Sequence, residues 1–288
     1  MRPAFIKQPG EPQEPRIVAV EARGRRISIA LNVGDNLLQG LRRGFQAEGF
    51  RGGTAQLGAL ALSPFAYVMP ALSKTGENAA FYSDVYRPSG VSRLERGAIT
   101  VGERDGAPFF HCHAIWREAD GTRTGGHILP EETVVEEDVR IDALGIDGAL
   151  FTARPDPETN FKLFSPEAVA ATGASTDCRV LAMRLKPNQD FIGALEAAAA
   201  TAGIKRACIA GGVGSIIGAA FADGTVVQNF ATEVFVSSGE VVVGPDDLPA
   251  TTVDAGLVDY TGALAFGRLL KGANPVLMTF ELALQVLE

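Results

Sequence analysis

Phe110-His111-Cys112-His113 and, after a short polar stretch, Gly125-Gly126-His127-Ile128-Leu129 hold all three histidines of a 288-residue chain, within 17 positions. Side chains of an extended strand alternate between faces, so His111 and His113 share one face and Cys112 takes the other. The intervening Ala119-Asp120-Gly121 has the composition of a hairpin turn. A three-residue loop there, with Gly121 in the left-handed conformation, pairs Glu118 with Thr122 and sets His127 opposite His113. A two-residue loop would send His127 to the other face. Glycine stands where the longer loop requires it, so three imidazoles are expected to converge. Three neutral nitrogens with a fourth position open are the ligand set of a catalytic zinc site, whereas structural sites are usually closed by four protein ligands. His111, His113 and His127 are therefore expected to bind one divalent transition metal, with zinc the first choice. Cys112 is expected in the core.

Composition bounds the setting. The chain has room for one large domain or two modest ones. A hydrophobic fraction of 46% with 21% charged residues is that of an ordinary soluble globular protein. No apolar run reaches membrane-spanning length, and the proline-rich, polar start from Met1 to Pro15 lacks the apolar core of a signal peptide. Cys112, Cys178 and Cys208 are odd in number and scattered, which fits a reducing cytoplasm better than disulfides. The net charge of −8 counts against direct nucleic-acid binding, because phosphate neutralisation needs a basic surface. The one basic cluster, Arg23-Gly24-Arg25-Arg26, runs into the alternating Ile27-Ser28-Ile29-Ala30-Leu31 and reads as a solvated strand entry.

An internal repeat organises the rest. Asp35 and Asp190 each precede a helical pattern and read as N-caps. A strand-like run stands before each helix (Ile27–Leu31, Val180–Leu185), and a glycine-bearing apolar segment follows each. The spacing between copies is 155 at the helices and 141 at the hairpin, where Gly121 maps to Gly262 and Gly126 to Gly267. About fourteen extra residues therefore lie in the first copy, placed within Pro64–Ser92, whose Tyr67, Phe81, Tyr82 and Tyr86 suit a lid or interface loop. The domains expected are 16–150 with the metal site, a linker over 151–176, and 177–288. In the second copy His111, His113 and His127 become Thr252, Asp254 and Arg268, so that copy should be metal-free. Asp254 and Arg268 should form a cross-strand ion pair, and Arg268→Ala should destabilise the protein without changing its metal content.

The progression of strand, Asp-started helix, Gly-containing strand, His-x-His, hairpin and Gly-Gly-His-Ile-Leu resembles the PPC (plants and prokaryotes conserved) domain. Both copies resemble it from about Arg16 onward, the second without the histidines. The resemblance implies an α+β fold of two tandem repeats, each a bent, largely antiparallel sheet with one main helix. It also implies trimeric assembly, zinc on the three histidines, and in some relatives a DNA-binding association. The His-x-His…Gly-Gly-His arrangement is similar also to α-acetolactate decarboxylase, a zinc enzyme.

Two functions follow as expectations. In the first the protein is a metal-dependent lyase or hydrolase acting on, or sensing, a small anionic or carbonyl-bearing molecule. Glu131 and Glu132, just past the hairpin, are the proton-transfer candidates, ahead of Asp120 in the turn, and Arg123 is the candidate to hold a substrate carboxylate. The plain alternative for each is a solvated charge at a hairpin tip or strand end. In the second the protein is a non-catalytic regulatory or DNA-associated binding module. The open triad favours the first.

Overall fold

The computed structural model describes residues 2–244 and 247–287. The first half carries β1 (Ile17–Leu31), α1 (Leu37–Ala47), β2 (Gly52–Leu57), β3 (Leu60–Leu62), β4 (Tyr67–Val68), β5 (Pro70–Leu72), β6 (Ala80–Tyr82), β7 (Ser92–Arg104), β8 (Ala107–Arg117), β9 (Arg123–Ile128), β10 (Val139–Asp147), β11 (Ala149–Asp156) and β12 (Phe161–Ala168). The second carries β13 (Cys178–Leu185), α2 (Phe191–Thr201), β14 (Arg206–Ile216), β15 (Ala219–Ala220), β16 (Val226–Val227), β17 (Thr232–Val243), β18 (Pro249–Asp259), β19 (Leu264–Arg268) and β20 (Val276–Val286). The two helices span 11 residues each. The expected α+β class is thus corrected to a mostly β fold, because a single short helix serves each half. Among the described residues no helix is long and apolar enough to cross a membrane.

The main sheet runs β19-β18-β17-β14-β20-β13-β1-β10-β2-β7-β8-β9-β4, nearly all antiparallel. From the central β13–β1 pair outward, the two sides read in the same order. Strand β1 joins them, pairing with β13 over Ile17–Gly24 and with β10 over Arg23–Leu31. The Arg23–Arg26 cluster is therefore mid-strand, not a strand entry. Gly24 sits where the ladders overlap, and a Cβ there would meet Gly145 O and Val180 Cγ2 at 2.7 Å each. So long a sheet cannot stay flat. It curls until Ala98 and Ile115 of the first half pack on Val213 and Phe235 of the second. Helix α1 covers one core with Leu37, Leu41 and Phe45, and α2 covers another with Phe191, Ile192 and Leu195.

Helix entry corrects a detail. Asn36, not Asp35, caps α1, its side chain accepting from Gln39 N at 3.2 Å. Asp35 accepts from Asn32 N and pairs with Arg43 instead. Asp190 does cap α2, through Gly193 N at 2.9 Å. Asn36 and Asp190 lie 154 positions apart, as do Gly49 and Gly203, both at positive φ. At the hairpins the separation is 141: Glu118 and Gly121 make the turn bonds that Asp259 and Gly262 repeat.

Residues 149–168, which begin at the end of the expected first domain and run through most of the expected 151–176 linker, form the β11–β12 hairpin, with Ala153 beside Arg104 of β7 in a parallel step. Their alternating apolar residues Phe151, Ala153 and Phe164 pack against Ala182, Ala210 and Ala283 of the second half. Asp254 and Arg268 face each other across β18–β19 and bond at 3.0 Å. Their side chains are 39% and 55% exposed, so solvent screens the pair and the expected destabilisation is withdrawn. Arg268→Ala should leave both the denaturation midpoint and the metal content unchanged. A clear loss of stability in urea unfolding would contradict the screening argument.

Candidate metal centre

The β8–β9 hairpin fixes the centre. Glu118 N donates to Thr122 O at 2.8 Å and Gly121 N to Glu118 O at 3.0 Å, with Gly121 at φ 91°. That is the three-residue turn, and it sets His113 directly opposite His127. His111, His113 and His127 converge, one ring nitrogen of each lying within 4.8 Å of the others. Cys112 points away into the α1 core.

The second half orients these rings. His113 Nδ1 donates to Val234 O of β17 at 3.0 Å, and His111 Nδ1 donates to Glu281 Oε1 of β20. Each bond fixes a tautomer, so both Nε2 atoms carry lone pairs. Those atoms lie 3.0 Å apart. Two lone pairs facing at that distance repel unless a proton or cation lies between them. Tetrahedral zinc at its usual bond length separates ligand nitrogens by about 3.3 Å. His127 Nδ1 is buried without a hydrogen-bond partner, as is Glu281 Oε2. The residues present therefore fit a divalent metal. Burial pushes His113 and His127 well below the ordinary imidazole range, and the neighbouring His111 adds to it. Both are neutral at pH 7, the form that ligates.

Two spaces adjoin the rings. A cavity of about 60 Å³ is lined by His111, His113, Tyr82, Glu233, Leu277 and Met278. Glu233 is 5% exposed, and its Oε2 has no partner. Burial raises its carboxyl well above the usual range, which favours the protonated form. Burial likewise raises the Tyr82 hydroxyl, helped by Glu233 and Glu281. An outer cleft of about 490 Å³ reaches His111 and His127 past Arg104, Lys162 and Phe161. Part of the Pro64–Ser92 stretch roofs the centre: Val68 pairs with His127, and the Tyr82 ring lies 5.4 Å from the His127 ring.

Of the other candidates, only Glu131 lines the cleft. Glu132 forms an exposed ion pair with Arg87. Arg123 bonds Glu95 at the turn end of the hairpin, its guanidinium 5.2 Å from the Phe266 ring. Four strand positions separate it from His127, a reach of about 13 Å. Asp120 caps its own turn through Thr122 N. Sequence reasoning does not reach Glu281, Glu233 or Arg104, and it places Tyr82 only in a lid or interface loop. Glu281 leaves a trace as the one charged residue of the apolar Val276–Val286 strand.

Comparison with known proteins adds the following. The Plants and Prokaryotes Conserved (PCC) domain matches residues 172–288, the half without histidines. No curated protein matches the chain. Among solved structures, a metal-containing protein from Archaeoglobus fulgidus is 18% identical over 51% of this chain and 98% of its own, with a TM-score of 0.40. A plant- and prokaryote-conserved (PPC) protein from Pyrococcus horikoshii is 19% identical over 52% of this chain and 97% of its own, with a TM-score of 0.39. A candidate DNA-binding protein from Ralstonia eutropha is 16% identical over 49% and 90%, with a TM-score of 0.35.

Proposed function

We propose that the chain is a tandem of two PPC-like domains, 16–150 and 177–288, sharing one three-histidine zinc centre that acts on a small anionic or carbonyl-bearing molecule. The PCC match to the second half supports the tandem. So do the matching strand orders about β13–β1 and the repeated hairpin bonds. The β11–β12 hairpin, bridging the domains, belongs to the shared centre.

One observation carries the metal reading: two oriented Nε2 lone pairs 3.0 Å apart, with a third imidazole beside them. A divalent metal held there supplies Lewis acidity to a carbonyl or carboxylate oxygen, or lowers the pKa of a bound water. The chain's own groups do the rest. Glu281 and the Val234 carbonyl hold His111 and His113 in their ligating tautomers. Glu233 keeps a proton at its carboxyl, facing the inner cavity, where it can be given to a developing anion. Tyr82 and Phe161, with rings 5.7 Å apart, wall the space against bulk water. This arrangement suits a lyase or hydrolase on a small carbonyl acid.

The test is elemental analysis of protein purified without chelator, followed by a turnover screen on 2-oxo and 2-hydroxy acids. One zinc per chain and turnover of an acid are expected. Absence of any transition metal would overturn the metal reading, and zinc without turnover would overturn the catalytic one.

A further inference from the structure

We infer that the outer cleft takes a carboxylate attached to an aromatic or apolar body, and that Arg104 anchors that carboxylate. This rests on the proposed reading only in that the cleft opens onto the same histidines.

Two cations line the cleft. Lys162 is already neutralised, its Nζ bonding both oxygens of Asp105 at 2.9 and 2.8 Å. Arg104 differs. Its nearest carboxylate is Asp105 at 4.0 Å, beyond hydrogen-bond distance. Its guanidinium carbon instead lies 5.1 Å from the centroid of the Phe109 ring. That contact occupies one face of the guanidinium, and among the described residues none hydrogen-bonds its N–H edge. A free planar edge matches a carboxylate bidentately.

Arg104 stands at the mouth of the cleft, its side chain 45% exposed, where an entering anion meets it first. The parallel step from Ala153 to Arg104 fixes the backbone at this point. Arg104 lines the same cleft as His111 and His127. Phe81, Phe109, Phe161 and Phe164 supply apolar wall, and the one carboxylate among the lining residues, Glu131, is exposed. Among the described residues, Arg104 is the arginine that lines this cleft, and no carboxylate there hydrogen-bonds it. It marks where an anion enters.

The probes are benzoate and its uncharged counterpart benzamide, titrated calorimetrically into zinc-loaded full-length protein at low salt. Benzoate should bind at least about tenfold more tightly than benzamide, the range of a charge-assisted bond. Arg104→Gln should remove that preference with zinc content unchanged, and Arg104→Lys should recover part of it. Repeating the titration on chelator-treated protein separates the anchor from direct metal contact, and the Arg104-dependent difference should persist. Equal binding of the two probes, no benzoate binding to the wild type, or unchanged binding by Arg104→Gln would overturn the inference. If the protein proves metal-free yet Arg104→Gln loses benzoate, the metal reading fails and this one stands.

Discussion

His113→Ala should abolish stoichiometric metal binding, and Glu281→Gln should lower metal affinity about 10–100-fold, the usual cost of losing an outer-shell carboxylate. The two act differently. His113 supplies a ligand nitrogen, whereas Glu281 never touches the metal position. It holds His111 in the tautomer that presents Nε2. Glutamine keeps the shape and an acceptor oxygen but loses the charge, so the histidines stay in place while the affinity falls. Glu281 is fully buried with Oε2 unpartnered, so in metal-free protein the carboxylate costs stability. Glu281→Gln should therefore weaken metal binding without weakening the metal-free fold. Titration against a chromogenic chelator, alongside urea unfolding in EDTA, reads both. Unchanged affinity in Glu281→Gln would show that the contact does not orient His111.

Arg184→Ala should cost about 3–5 kcal/mol of folding stability, because it strands a buried charge. Arg184 and Asp156 have side chains only 6% and 5% exposed and bond at 2.5 Å. Asp156 also accepts from Glu158 N, Thr159 N and Thr159 Oγ1, while Arg184 Nε donates to Thr279 Oγ1 at 3.0 Å. The cluster pins the β11–β12 turn to β13 and β20. Burial alone would raise the Asp156 carboxyl, but Arg184 and Thr159 outweigh it and hold it below the ordinary value of 3.8. A carboxyl with a depressed folded pKa contributes stability above its unfolded pKa and loses it as pH falls through the folded one. The gap between wild type and Asp156→Asn should therefore close as pH falls below 3.8. Urea midpoints at pH 7, 4 and 3 measure it, and a gap constant with pH would refute the charge argument.

The sequence made the hairpin legible because every determinant is local: strand period two, and one glycine in a three-residue turn. His113 opposite His127, Cys112 inward and Asp254 opposite Arg268 all follow from those two facts. Glu281 and Val234 were out of reach. They lie 170 and 121 positions from the histidines they hold, and only the curl of the sheet brings them together. Arg123 is near the histidines in sequence, but along an extended strand four residues already carry a side chain past bonding range, and Glu132, on the turn after β9, pairs with Arg87. The 151–176 stretch read as linker because Arg154-Pro155-Asp156-Pro157 has turn composition. The prolines fall at the end of β11, where strand hydrogen bonding is ceasing.

The three histidines come from one half, and the groups that aim them come from the other. That division changes what selection can do with the chain. The second half is the jig in which the first half's histidines are set, so neither can be shuffled away as a free-standing module. Substitutions at Glu281 or in β17 would damage a centre whose ligands are untouched. Lineages should therefore gain or lose this function by whole chains rather than by halves.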